Sequence, residues 1–142
     1  MSQPRKSDLR RFYLRVALRA GHRCEYCHAP ESFFTHRHCL DHILPERHGG
    51  PTSLQNMALC CYACQQQKLA FQTGWDAATK TAVALFSPRR QRWSRHFRWS
   101  ADGLHLEGLT RVGRATIERL ALNHWRQVQA RARWKEHPDL FP

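Results

Sequence analysis

Residues 24–68, CEYCHAPESFFTHRHCLDHILPERHGGPTSLQNMALCCYACQQQK, carry the pattern that decides the fold. Two C-x2-C pairs, Cys24/Cys27 and Cys61/Cys64, close the stretch at either end. Zinc favours soft thiolates, and each pair bites an ion from one tight turn, so together they suit a closed tetrahedral zinc site. Between them stand an Asp41-His42 dipeptide, a Gly49-Gly50 turn and Asn56. Phe33 to Leu44 patterns as a short strand leading to Asp41-His42-Ile43, Pro45 to Pro51 as a turn-rich loop, and Met57 to Cys60 as the returning strand. From Cys61 or Tyr62 to about Ala70 the pattern reads as a short helix with Cys64, Gln65 and Lys68 on its early turns. Strand, loop, strand and helix make a ββα unit, which sets the class as α+β.

On the N-terminal side, Met1 to Lys6 reads as a frayed leader. Ser7 is the expected cap of a helix running to about Ala20, with Gly21 as its stop. Leu9, Phe12, Tyr13, Val16 and Ala20 recur on one apolar face, and Arg11, Arg15 and Arg19 on the other. Such an Arg stripe is either a solvated face or a phosphate contact.

On the C-terminal side, Thr73 to Ala84 shows no decisive pattern. Arg89, Arg90, Arg92, Arg95 and Arg98 then crowd together, interleaved with Trp93, Phe97 and Trp99. Arg with aromatics grips phosphates while stacking on sugars or bases. Trp93 and Phe97 are expected to pack inward while several of the Arg residues face nucleic acid. Phe97–Trp99 and Leu104–Leu106 flank Ala101-Asp102-Gly103, a hairpin signal. Thr110 caps a helix with Ile117, Leu120, Ala121, Trp125, Val128 and Ala132 at helical spacing, which Asn123 interrupts. The whole chain, 1–142, is expected to be a single domain: a basic helix over 1–23, the zinc-framed core over 24–72 and a basic tail over 73–142.

Composition narrows the partners. Lys and Arg number 23 against 11 Asp and Glu, a formal charge of +12 carried mostly by Arg, which forks onto phosphate oxygens. A polyanion, most simply nucleic acid, fits that excess. No run reaches the roughly 18 apolar residues of a membrane span, and no signal-peptide pattern opens the chain. The 6 Cys, with four in C-x2-C pairs, read as reduced metal-binding thiols, so a reducing cytoplasmic setting is expected. A redox reading of C-x2-C lacks a surrounding thioredoxin-like βαβ pattern.

The central stretch resembles the zinc-framed HNH endonucleases, whose pattern is C-x2-C, D-H-I-x-P, G-G, Asn, then C-x2-C-N-x2-K. The matching positions are Cys24, Cys27, Asp41-His42-Ile43, Pro45, Gly49-Gly50, Asn56, Cys61, Cys64 and Lys68. FSPRRQRWSRHFRW from Phe86 and GLTRVGRATIERLALN from Gly108 resemble the tail of one bacterial branch of that family, which extends the likeness over nearly the whole chain. The resemblance implies an HNH ββα-metal core on a treble-clef-like zinc frame, with an N-terminal helix, a C-terminal hairpin and a helical tail. It implies a metal-dependent DNA endonuclease using one metal and a His general base.

The chemistry suits the residue types. A phosphodiester resists attack through its charge and its poor leaving group; one divalent cation addresses both, and an imidazole suits proton removal from water near neutral pH. By resemblance, Asp41 ligates Mg2+, or Mn2+ or Ni2+, His42 is the base, and Asn56 bonds the loop backbone to orient His42. Lys68, Arg89, Arg90, Arg92, Arg95 and Arg98 are the expected nucleic-acid contacts. Gln65 departs from the family's usual Asn or His as second metal ligand, which opens the alternative of a catalytically weakened zinc-framed DNA-binding module. Cys60 is expected as a small buried residue, and His36 and His38 as reserve ligands near the site. Monomer and homodimer both remain open from the residues alone.

Overall fold

A computed structural model describes residues 5–141. Within that range the order is α1 (Lys6–Arg19), β1 (Cys39–His42), β2 (Met57–Cys60), α2 (Tyr62–Lys68), β3 (Thr73–Asp76), β4 (Thr81–Ala84), α3 (Trp93–His96), β5 (Phe97–Trp99), β6 (Leu106–Gly108), α4 (Arg111–Arg119) and α5 (Trp125–Lys135). The strands form three separate antiparallel pairs, β1-β2, β3-β4 and β5-β6. The protein is α+β, with the expected ββα unit at its centre.

Helix α1 begins before Ser7, with Arg5 at the N-cap and no side-chain cap; Asp8 in the first turn complements the helix dipole instead. The start of the expected leader, residues 1–4, lies outside the described residues. Its stop is as expected, because Gly21 takes φ +63 and the Gly21 and His22 amides donate to Leu18 and Ala17 in a paired C-terminal closure. Val16 and Ala17 bury against Met57 and Leu59, with Phe12 and Tyr13 beside them. Leu9 does not join that face and is 54% exposed. The Arg stripe divides: Arg19 donates to the Leu54 and Met57 carbonyls at 2.6 Å each and pins the entry to β2, while Arg11 and Arg15 stay exposed.

Strands β1 and β2 pair with Cys39 opposite Cys60 and His42 opposite Met57. The intervening loop folds tightly on itself, and Gly50 is required there. A Cβ at Gly50 would sit 1.7 Å from the Leu44 carbonyl oxygen, well inside contact distance. The first knuckle docks on this hairpin through Glu25, whose amide donates to the Leu59 carbonyl while its carboxylate accepts from the Leu59 amide.

The tail packs into the same apolar cluster as the knuckles. Phe86, Phe97, Leu106, Leu120 and Leu122 share it with Tyr26 and the four C-x2-C cysteines. Residues 73–84, which show no decisive pattern in sequence, are the hairpin β3-β4, fastened to α4 by the Arg114 guanidinium bonding Asp76 at 2.8 and 3.1 Å. The second strand of the next hairpin falls at Leu106–Gly108 rather than Leu104–Leu106. Ser100 and Asp102 spend their side chains on the His105 and Leu104 amides and widen the turn before pairing resumes. Thr110 caps α4 through the Gly113 amide, as expected. The break before α5 is real, and Asn123 uses its amide to pair with both the N–H and the C=O of Leu106. Arg131 of α5 is 1% exposed and donates to the Leu104 and Leu122 carbonyls.

Candidate functional site

The four thiols of Cys24, Cys27, Cys61 and Cys64 lie within 4.8 Å of one another, and all are buried. A tetrahedral ion with Zn–S near 2.3 Å requires sulfurs roughly 3.8 Å apart, and Cys27 and Cys61 stand 3.6 Å apart. Four soft donors with closed access fit a structural zinc. The Cys61 sulfur also accepts from the Cys64 amide, so the ligand pair caps the helix that carries it. Cys60 is fully buried on β2, as expected.

Asp41, His42, Gln65, Arg47 and Leu69 line one recess of about 440 Å³ over β1 and the early turns of α2. Asp41 of this recess belongs to a buried charge cluster. Lys68 is 2% exposed and donates to Asp41, at 3.2 Å to Oδ1 and 3.1 Å to Oδ2, and to the His42 and Ile43 carbonyls at 3.2 and 3.4 Å. The Tyr26 hydroxyl donates to Asp41 Oδ2 at 2.8 Å. Burial pushes the Asp41 carboxyl up, while the Lys68 ammonium and the Tyr26 hydroxyl oppose that shift by favouring the anion.

Lys68 therefore points inward, and the expectation that it contacts nucleic acid is corrected: its ammonium is spent on Asp41 and on backbone carbonyls. Tyr26, inside the first knuckle, was not singled out by sequence, because C-x2-C spacing says nothing about the residues between the cysteines.

The donor set for a catalytic cation can be tested on these contacts. A carboxylate oxygen has two acceptor positions. Oδ2 takes both Tyr26 and Lys68, whereas Oδ1 takes Lys68 alone, leaving one position. Gln65 lines the same recess, and the adjacent Lys68 charge opposes a cation at that position. Among the described residues, the four-cysteine cluster is the only group of three or more His, Cys, Asp or Glu placed to hold a metal. His36 and His38 are not reserve ligands in this arrangement. His38 is 4% exposed and its Nε2 bonds the Ala29 carbonyl, and His36 is exposed.

The loop above the recess is clamped by Asn56. Its Oδ1 accepts from the Leu44 amide at 2.8 Å, and its Nδ2 donates to the Leu44 and Pro51 carbonyls at 3.0 and 2.9 Å. His42 Nε2 lies 2.9 Å from Thr52 Oγ1, directly after that clamp.

The Arg cluster separates by environment. Arg89 turns inward and ion-pairs with Glu25, and burial pushes its guanidinium down to about 10. It still lines a groove with Arg90, its charge partnered there by Glu25. Arg98 is exposed but pairs with Glu107 across β5-β6 at 2.6 Å. Arg90, Arg92 and Arg95 are exposed and share one hollow with His96. Arg90 also borders a groove lined by Ile43, Leu44, Asn56, Lys68, Phe71 and Arg89, beside the Asp41 recess. Phe97 is buried, and Trp93 packs against the core with its indole N–H donating to the Tyr26 carbonyl at 2.9 Å.

A ββα unit on a four-cysteine frame, with Asp-His on its first strand, is consistent with an HNH-type fold. Residues 24–70 match the family model described as HNH endonuclease, so this segment is an HNH endonuclease domain within a chain of 142 residues. The match supports a nuclease family, in general terms, for that segment. No curated protein and no solved structure matches the chain. None of the described helices is long and apolar enough to cross a membrane.

Proposed function

We propose that the protein is a metal-dependent DNA endonuclease that hydrolyses phosphodiester bonds with His42 as general base. The observation that carries this reading is the recess in which Asp41, His42 and Gln65 meet, beside a groove bordered by exposed Arg90. Asp41 and Gln65 would hold a catalytic Mg2+, Mn2+ or Ni2+, which when bound supplies charge neutralisation at the phosphate and the leaving oxygen. His42 takes the proton of the attacking water. Asn56 holds the loop so that His42 keeps its place at the recess. Arg90, Arg92 and Arg95 neutralise backbone phosphates and set the register of the strand without reading its bases. A structural zinc on the four cysteines ties the first knuckle to α2, and its reduced thiols suit a cytoplasmic setting.

One observation favours the weaker alternative, a DNA-binding module with decayed catalysis: Lys68 already partners the Asp41 carboxylate. A plasmid-nicking assay across a metal titration separates the two. The endonuclease reading expects metal-dependent nicking by the parent and none by His42→Ala, with DNA affinity within about twofold between them. It also expects Gln65→Asn to need less metal than the parent, because a shorter amide loses less rotamer freedom on coordination. Tight DNA binding with no nicking under any of the three metals would leave the binding module standing.

A further inference from the structure

We propose that Thr52 is the positioning residue of the catalytic base, holding His42 through Nε2 so that Nδ1 is the nitrogen presented to the attacking water. This rests on the reading of His42 as the base. Thr52 Oγ1 is 2.9 Å from His42 Nε2, and it is the ring's one side-chain hydrogen-bond partner among the described residues. Nδ1 has none there, and the ring lines the recess with Asp41 and Gln65.

A neutral imidazole carries one proton, so one nitrogen donates and the other accepts. A base requires a lone pair on the nitrogen that faces water. A hydroxyl can accept from an N–H or donate to a lone pair; in the proposed arrangement Nε2–H donates to Thr52 Oγ1, which leaves the lone pair on Nδ1. The hydroxyl thus fixes the ring's orientation, the task that a second group performs for the base in other hydrolytic sites.

Thr52 is exposed, and the loop anchors the backbone on its N-terminal side. The Pro51 carbonyl, immediately before Thr52, accepts from Asn56 Nδ2 at 2.9 Å, and Gly50 packs against the Leu44 carbonyl at a distance no side chain tolerates. On the other side, the His42 carbonyl accepts from buried Lys68. Backbone anchors thus hold both ends of the Thr52–His42 bond. Asn56 acts on the base through this residue: it fixes the loop, and Thr52 passes that fixity to the ring.

Thr52→Val keeps the branched shape and deletes the hydroxyl; Thr52→Ser keeps the hydroxyl. Single-turnover cleavage of a plasmid and binding of a DNA duplex are measured for the parent, both variants and His42→Ala. Long-range proton–nitrogen NMR of the zinc-loaded protein reads the His42 tautomer. The expected result is about a tenfold lower cleavage rate in Thr52→Val, the scale of one hydrogen bond, with affinity within about twofold and most of the rate restored in Thr52→Ser. The parent should show the Nε2–H tautomer, and Thr52→Val a mixture. Parent-like cleavage by Thr52→Val, a Thr52→Ser as slow as Thr52→Val, or an Nδ1–H tautomer in the parent each overturns the assignment. Parent-like cleavage by His42→Ala instead overturns the choice of base, and the NMR result then decides by itself whether Thr52 holds the ring.

Discussion

Replacing Lys68 by Met tests whether the buried Asp41–Lys68 pair holds the site together. The side chains of the two partners are 6% and 2% exposed, and their atoms stand 3.1 Å apart. Removing one member strands the other charge away from water, which typically costs about 3–5 kcal/mol. Lys68→Met also frees the His42 and Ile43 carbonyls, so the upper part of that range is expected. Asp41→Asn should cost somewhat less, because the amide oxygen still accepts from Tyr26. The double variant leaves no unpaired charge, and its loss should fall at least about 2 kcal/mol short of the sum of the singles. Urea unfolding of the zinc-loaded protein, followed by Trp fluorescence, measures all four. The sum itself is the refuting result: additive losses, or a Lys68→Met loss below about 1 kcal/mol, would mean that the pair is solvated in solution.

Elemental analysis should find about one zinc per chain, and strong chelation should unfold the ββα unit, since the ion joins the first knuckle to α2; circular dichroism before and after chelation checks this. Arg90→Ala and Arg92→Ala should each weaken DNA binding and reduce the slope of log affinity against log salt by about 1, as one phosphate contact is lost, whereas Arg89→Ala should leave the slope unchanged. The Arg114 guanidinium and the Thr79 hydroxyl hold the Asp76 carboxyl well below the usual carboxylate range. Its folded-state value therefore lies below the unfolded one, so its stabilisation is fully present above the ordinary pKa of about 3.9 and fades as pH falls from there through the lower folded-state value. The stability gap between the parent and Asp76→Asn should shrink from pH 5 to pH 2, as read by urea unfolding at matched pH.

Much of the centre was legible because local spacing encodes it. C-x2-C is a complete instruction for half a zinc site, and period and punctuation around Asp41-His42 and Gly49-Gly50 marked the hairpin, whose β2 runs over the expected Met57–Cys60. Caps are local too: Thr110 begins α4, and Gly21 ends α1. In the β3-β4 hairpin, which escaped, Asp76 accepts locally from the Ala78 and Thr79 amides, while the Arg114 that ties it to α4 is distant in sequence. The second strand of β5-β6 was displaced because the Asp102 and Ser100 side chains bond the Leu104 and His105 amides and lengthen the turn.

What the sequence by itself determined was the set of chemical groups: four thiols at zinc spacing, an Asp-His pair, an Asn at the loop's end and a basic tail. Only the tertiary structure decided which charges meet. Lys68 and Arg89 read in one dimension as further members of a phosphate-binding set, and each is instead consumed by a carboxylate, Asp41 and Glu25. The reason is physical. An ionised group has the same sequence signature whether it faces water or a partner, and burial is a property of everything packed around it. For the same reason, Tyr26 and Thr52 became site residues only when the chain brought their hydroxyls to Asp41 and His42, across contacts that no spacing rule records.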